Sequence, residues 1–201
     1  IIRRAMAAVP AAVVQARLND VINTLDRVLK ASESEDLTRQ VIGCFAAAAS
    51  LAFDAGGRPN RKILKPVFSF LGDTHAPIRQ RAQVAVNSII RRSKAAGDQQ
   101  SLEFAVQHLT QIITATRPDK KVLDELPVQQ IIALLQASAS ELPAEGLASI
   151  CSALVGLPGQ LGQHPCCTEA FEFLATHLRG EEADGDDEEA MTDQEGVQQR
   201  A

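Results

Sequence analysis

The sequence predicts an all-α protein, an α-solenoid of about four stacked helical hairpins, and three observations indicate this class. Apolar residues recur at intervals of three and four along most of the chain, which is the spacing of one face of a helix. The composition is rich in alanine and poor in aromatic residues, with no Trp, no Tyr and seven Phe, and this favours closely packed helices. No sustained alternation of apolar and polar residues bounded by hairpin turns is present, so we expect no β-sheet.

The first predicted hairpin covers roughly residues 11–54. Its first helix carries one apolar stripe, which is formed by Val14, Leu18, Val21, Leu25 and Val28. The polar segment ASESED ends this stripe, and Asp36 is the expected N-cap of the second helix. That helix contains a run of four alanines at positions 46–49, whose small side chains would allow a neighbouring helix to approach closely.

The second hairpin, roughly residues 60–95, has the most specific pattern in the chain. Asn60 is a candidate cap for its first helix, and Pro66 lies inside that helix, where a proline produces a kink. Pro77 is expected to open the second helix, because the N–H that proline lacks would have no intrahelical partner at that position.

Two charged residues flank the turn of this hairpin, with Asp73 six residues before Arg79. We expect Asp73 to accept hydrogen bonds at the start of the second helix and Arg79 to reach the turn, since a carboxylate is favourable near helix-start amides. The alternative is an exposed charge pair that recruits a partner.

The third and fourth hairpins are expected at roughly 101–138 and 143–179. A short turn of helix is predicted at 119–125, and the segment GLPGQLGQHP is interpreted as a connector. The last helix is predicted from Pro165 to about Arg179, with an apolar face of Cys167, Ala170, Phe171, Leu174 and Leu178. The hairpin starts are about 40 to 50 residues apart, which is the period of helical repeat arrays. Stacking of neighbours is how such hairpins bury their apolar faces.

Charge divides the chain into two parts. Residues 180–201 carry nine acids and one Arg, with little to bury, which predicts an acidic disordered linker or tail. Residues 1–179, the predicted solenoid, hold 19 Lys/Arg and 16 Asp/Glu and are near +3, although the whole chain is −5. The tail could fold over a basic surface, engage basic proteins or only improve solubility. The opening IIRRAMAAVP has neither an initiator Met nor a secretory pattern, so we expect the chain to be part of a longer protein.

No motif for catalysis is visible in the sequence. The four His are scattered and no HExxH, GxSxG, Walker or GxGxxG pattern occurs, so we expect no enzyme, no cofactor and no small-molecule substrate. His164, Cys166 and Cys167 could in principle hold a metal, but adjacent cysteines rarely ligate one zinc, and we predict no metal site. We expect Cys44, Cys151, Cys166 and Cys167 to be buried reduced thiols. No apolar run approaches the ~20 residues of a bilayer-spanning helix, so no membrane contact is expected.

The strongest functional signal is a cationic run over residues 58–94, with nine Lys/Arg against the single acid Asp73. Such a patch would attract a phosphate backbone through Coulomb attraction and counterion release. The alternative is an ordinary charged helix surface whose cations complement a helix dipole. Without Tyr or Trp for base stacking, we predict contact with an RNA backbone or an acidic partner rather than sequence reading. The candidate contact residues are Arg58, Arg61, Lys62, Lys65, Arg81, Arg91, Arg92 and Lys94.

The second hairpin resembles a HEAT repeat, whose marks are a proline-kinked first helix, an aspartate in the turn and Val/Ile-Arg at the start of the second helix. Here those positions are Pro66, Asp73 and Ile78-Arg79. Beyond this hairpin, about residues 37–174 are similar to the N-terminal half of the HEAT-repeat ribosomal RNA-processing protein 12 family. The similarity lies in LTRQVIGCFAAAASLAF, KPVFSFLGDTHAPIRQRAQVAVNSIIR and LEFAVQHLTQIITATRPDKKVLDELPVQQIIALLQ.

This resemblance implies a non-enzymatic scaffold in small-subunit ribosome biogenesis, acting in pre-ribosomal RNA processing and in pre-ribosome assembly or export. It implies a nucleolar or nuclear location, with shuttling to the cytoplasm left open, and partners among pre-ribosomal RNA and the other proteins of a large assembly. Importin-type nuclear transport receptors and generic HEAT adaptors have similar hairpins and are the alternatives. An importin-type receptor would carry GTPase-binding repeats at the N-terminus of its full-length chain.

Overall fold

Most of the residues that the structure describes are helical. A computed structural model describes residues 11–31, 34–116, 127–161 and 164–182 of the chain. The helices are α1 (Ala11–Ala31), α2 (Glu35–Asp54), α3 (Arg61–Ser69), α4 (Ala76–Ala95), α5 (Gln99–Ala115), α6 (Pro127–Ser138), α7 (Ala144–Val155), α8 (Leu157–Leu161) and α9 (Pro165–Glu182). Short 3-10 turns follow α3 at Phe70–Gly72 and α6 at Ala139–Glu141. No strand occurs in the described ranges, so the all-α prediction is confirmed.

Polar side chains set several helix starts. The Asn60 side-chain oxygen accepts from the Lys62 amide at 2.9 Å and caps α3 as predicted. For α2 the prediction was wrong, because the cap is Ser34, whose hydroxyl accepts from the Leu37 amide at 3.4 Å. Asp36 lies in the first turn of α2, where its carboxylate interacts favourably with the helix dipole but does not cap the helix.

Two glycines end α2 and α4 in the same way. Gly56 and Gly97 have φ of 69° and 63°, a left-handed conformation that a Cβ would strain. The next amide then bonds a carbonyl five residues back, with Gly57 N to Ala52 O at 2.9 Å and Asp98 N to Ser93 O at 2.8 Å. This is a Schellman closure, and its recurrence means that two successive hairpins have equivalent ends.

Packing follows a regular order along the chain. Helix α2 packs on α4, α4 on α6, and α6 on α9, while α3 packs on α5 and α5 on α7. Chain neighbours such as α1 and α2, or α3 and α4, also pack together. Helices two apart in sequence, together with α6 and α9, which are three apart, therefore form two rows, and buried side chains from both rows join one hydrophobic core.

Small residues allow close approach inside the rows, as the alanine run predicted for α2. Ala48 and Ala49 of that run are fully buried. The Arg81 guanidinium of α4 lies against the α2 backbone at Gly43, with Nη2 2.6 Å from the position that a Cβ would take. Because Gly43 has no Cβ, the Arg81 side chain fits between α2 and α4.

The carboxyl-terminal third differs from the sequence prediction in three respects. The expected connector contains α8, with Leu157 fully buried. In α9, Phe171 is 51% exposed and Phe173 is buried, because the buried stripe runs through Cys166, Ala170, Phe173 and Leu174, which Phe171 does not share. Helix α9 reaches Glu182, so the first residues of the segment 180–201 are helical. The remainder of that segment, the helical turn predicted at 119–125 and residues 1–8 lie outside the described residues.

The α5–α7 contact provides a test of this packing, because a Cβ on Gly146 would lie 2.5 Å from the Val106 Cγ2. We expect Gly146→Ala to lower the free energy of unfolding by about 1–3 kcal/mol through overpacking, although alanine raises helix propensity by up to about 1 kcal/mol. Adding Val106→Ala should recover part of that loss. Gly159→Ala is the control, since a Cβ there meets no atom within 4 Å. Urea denaturation that gives equal values for both glycine variants would contradict the close approach.

Candidate nucleic-acid interface

Helix α3 separates its apolar and cationic residues cleanly. Its buried face contains Ile63, Leu64, Val67 and Phe68, and its exposed face contains Arg61, Lys62, Lys65 and Ser69. We call Arg61, Lys62 and Lys65 the α3 ridge. Within the described part of the chain, no acid forms an ion pair with any of these three side chains. The ridge charges are therefore available to an external anion.

Arg58 has an internal partner instead. Its Nε lies 3.7 Å from Oδ1 of Asp98, which is 1% exposed and also caps α5 by accepting from the Ser101 amide at 3.4 Å. A buried carboxylate without a nearby cation is strongly unfavourable. The main role of Arg58 in this structure is consequently to neutralise Asp98.

The α4 arginines of the cationic run also contact the protein itself. Arg91 donates to the Ala137 carbonyl of α6 at 3.0 Å, and Arg92 forms an ion pair with Asp54 at the end of α2. The Arg92 guanidinium additionally lies 6.0 Å from the centre of the Phe53 ring. Arg81 is half-buried against Gly43, whereas Lys94 is exposed at the end of α4. These arginines connect α4 to α2 and α6.

A groove of about 410 Å³ runs between α3 and α5, beside the ridge. Its polar residues are Lys65, Ser69, His108, Gln111 and Thr116. Only Lys65 among these was a predicted contact residue, because no sequence signal places α5 next to α3. The Ser69 hydroxyl donates to the Lys65 carbonyl at 2.8 Å and keeps its oxygen lone pairs as acceptors.

Ring stacking fixes His108 at the wall of this groove. Its ring stacks on Phe104 with centroids 4.0 Å apart and meets the edge of Phe68 at 5.9 Å. Its Nδ1 is 3.1 Å from the Phe104 carbonyl, which can only accept, so Nδ1 carries a proton. In the neutral ring Nε2 is then an acceptor, and in the charged ring it is a second donor.

A second groove, between α1 and α3, lies on the other side of the ridge. Its lining includes Asn23, Asp26 and Pro66 together with Lys62 and Lys65. Asp26 accepts from Lys30 Nζ at 2.7 Å. The carboxylate gives this groove a mixed charge, in contrast to the α3–α5 groove, where none of the described lining residues is an acid.

The Asp73–Arg79 pair has the structural role that the sequence predicted. Asp73 Oδ1 accepts from the His75 amide at 2.8 Å, just before α4. Arg79 is 1% exposed, and its Nη1 donates to the carbonyls of Asp73 at 2.9 Å and Thr74 at 3.0 Å. The guanidinium thus holds the turn between α3 and α4 from inside.

His164 and Cys166 form a small polar cluster at the start of α9. His164 Nδ1 accepts from the Cys166 amide at 3.2 Å and lies 3.0 Å from Cys166 Sγ. Burial of Cys166, with a further contribution from Cys167, raises its thiol pKa from the usual 9.0 to about 12. The thiol is therefore neutral and a poor nucleophile. Cys44 and Cys167 are also buried, and Cys151 is half-buried.

Among the described residues, no group of three or more His, Cys, Asp and Glu side chains is arranged to hold a metal ion. None of the described helices combines the length and apolar character needed to cross a bilayer.

Replacing Arg79 tests its role in the turn. We expect Arg79→Met to lower the free energy of unfolding by about 2–4 kcal/mol, because the carbonyls of Asp73 and Thr74 both lose a charged donor that is itself buried. Gln80→Ala, at the exposed neighbouring position, should change stability by less than about 0.5 kcal/mol. Equal urea midpoints for wild type and Arg79→Met would instead support the alternative of an exposed pair that serves a partner.

The Cys166 pKa makes stability depend on alkaline pH. Because the folded-state pKa is raised, the stabilisation is present below the usual value of 9.0 and is lost as pH rises towards about 12. The free energy of unfolding of wild type, relative to Cys166→Ala, should therefore fall by up to about 1.4 kcal/mol per pH unit in that window. The cavity in the variant adds only a pH-independent offset, and a difference that stays flat from pH 8 to 11 would refute the shift.

Comparison with known proteins returned no relative: no family model matches the chain, no curated protein matches it and no solved structure matches it.

Proposed function

We propose that this chain is a HEAT-like α-solenoid of about four stacked helical hairpins that serves as a non-enzymatic scaffold in small-subunit ribosome biogenesis. The observation that carries the proposal is the packing order of the helices. Rows α2–α4–α6–α9 and α3–α5–α7 pair sequence-adjacent helices and stack each pair on the next, which is the contact pattern of a helical repeat array.

Repetition of local detail supports the solenoid. The glycine closures after α2 and α4 have the same hydrogen bonds, and a capped helix follows each of them, with Asn60 starting α3 and Asp98 starting α5. The first two hairpin boundaries are thus built alike. Equivalent boundaries are expected when one supersecondary unit recurs along a chain.

The proposed partner is the phosphate backbone of pre-ribosomal RNA, together with other proteins of the assembly. The ridge offers three cations that have no acid partner in the described part of the chain. In the same described part of the chain, the large hydrophobic side chains that are exposed are Val13, Val84, Val155 and Phe171. Only one of these is aromatic, so they do not form a platform on which successive bases could stack. The ribosomal setting, and with it a nucleolar or nuclear location, comes from the sequence resemblance.

RNA binding by the purified chain tests this function. With three phosphate contacts, the Kd should rise roughly 20- to 40-fold between 50 and 200 mM salt. A pre-ribosomal fragment and an unrelated RNA of equal length should bind with similar affinity, because the backbone is the ligand. Absence of binding at 50 mM salt, or an affinity that salt does not change, would contradict the proposal.

The ribosomal setting needs a separate readout in cells. Ultraviolet crosslinking of the full-length protein should enrich precursors of the small-subunit RNA over those of the large subunit. Equal recovery of both, with binding in vitro intact, would leave an RNA-binding scaffold and remove its assignment to small-subunit assembly.

A further inference from the structure

We propose that RNA is held by the α3 ridge and the α3–α5 groove, and that the other arginines of the cationic run serve the fold. This inference rests on the proposed RNA-binding function and specifies its site. It names Arg61, Lys62 and Lys65 as the phosphate contacts. Ser69, His108 and Gln111 are the neighbouring hydrogen-bonding groups.

The cations of the run differ in whether they already contact another group of the protein. Arg58 neutralises a buried carboxylate, Arg91 bonds a carbonyl of α6, and Arg92 bonds Asp54 of α2. Moving any of these side chains to an external phosphate would break an internal contact. The ridge cations have no such contact to break, so their charge is fully available for binding.

The ridge cations lie in a row along α3. Lys62 and Lys65 are three residues apart on one face of α3, and positions at this interval on a helix have Cβ atoms about 5–6 Å apart. Neighbouring phosphates of one strand can match such a spacing. Arg61 extends the row towards Asn60 and Gln100, which share a small cavity with it at the start of α5.

The charges of the two grooves beside the ridge indicate on which side the RNA strand lies. The α1–α3 groove contains Asp26, whose carboxylate repels phosphate, whereas the described residues that line the α3–α5 groove include no acid. Glu103, the acid of α5, lies about two helical turns before Gln111. The strand therefore runs over the ridge towards the α5 side.

The hydrogen-bonding groups of the groove wall favour RNA over an acidic peptide. The groove wall offers a hydroxyl at Ser69, an imidazole Nε2 at His108 and an amide at Gln111. As placed, the Ser69 oxygen and Nε2 of the neutral His108 ring accept, while the Gln111 amide both donates and accepts. These groups therefore suit ribose 2′-hydroxyls, which can donate to them, and contact with the phosphate oxygens falls to the ridge cations. Side-chain carboxylates of a peptide can only accept, so they would leave the acceptor groups of this wall unused.

Two variants of equal charge test the site on the whole chain. Arg61→Gln/Lys62→Gln/Lys65→Gln should weaken RNA binding at least about tenfold at 100 mM salt and make the log Kd–log salt slope shallower by about 2 to 3. The control, Arg81→Gln/Arg91→Gln/Arg92→Gln, removes the same charge from α4. It should bind RNA within threefold of wild type with an unchanged slope, and it should unfold at lower urea concentration.

A footprint on the wild-type protein avoids any doubt about folding of the variants. Bound RNA should protect Lys62 and Lys65 from acetylation and leave Lys94 as reactive as in the unbound protein. Lys94 is the internal control, because it is exposed and belongs to the same cationic run. Equal protection of all three lysines, or equal loss of binding in both triple variants, would overturn this site while leaving RNA binding intact.

Competition identifies the class of ligand. A poly-glutamate peptide should displace RNA only at a much higher charge concentration. Tighter binding of that peptide than of RNA would overturn the RNA site and favour an acidic protein. Failure of wild type to bind RNA at all would refute the proposed function together with this site.

Discussion

The packing of α4 against α2 on one side and α6 on the other is the constraint on which the rest of the structure depends. No single hairpin of this chain could hide its apolar face, because a pair of helices has too little area to cover itself. Helix α4 solves this with buried Ile78, Ala82, Val86 and Ile89. The fully buried side chains of α2 are largely alanines, so the two helices come close together. At the end of α4, Arg91 then bonds to α6 and Arg92 to α2.

The fold also decides what each cation does. A guanidinium has five donors in a planar fork, so it can satisfy carbonyls or carboxylates inside a protein. Arg79, Arg91 and Arg92 are used in this way, at a turn, at α6 and at α2. A lysine is a compact and strongly hydrated charge, and Lys62 and Lys65 are left in solvent. The count of cations in the sequence therefore overstates the charge that a partner can reach.

Local features of the fold were predictable from the sequence, because they depend on residues close to one another in the chain. The Asn60 cap, the proline start of α4 and the turn contacts of Asp73 and Arg79 all belong to this class. The Ser34 cap was missed because Ser34 and Asp36 are both good capping residues two positions apart. The stripe of α9 was misplaced because Phe171 and Phe173 compete for one face, and only the neighbouring helices decide which is buried.

The candidate site was only partly predictable. The cationic run was visible, but its division into free and engaged charges depends on pairs such as Arg92 with Asp54, which lie far apart in sequence. The same holds for the groove, since His108 and Gln111 meet Lys65 only because α5 packs on α3. Periodicity predicts that a helix has a buried face, and it does not identify the helix that covers it.

The central position of α4 has a consequence for motion in the native state. Helix α4 packs on α2, α3, α5 and α6, whereas the main neighbour of α1 is α2 alone. Opening of α1 disrupts one main contact, while opening of α4 disrupts both rows at once. Backbone amides of α4 should thus exchange with deuterium only through global unfolding, and those of α1 through local fraying. Among the described helices, α4, which packs on both helices of the proposed RNA site, should therefore open later than α1.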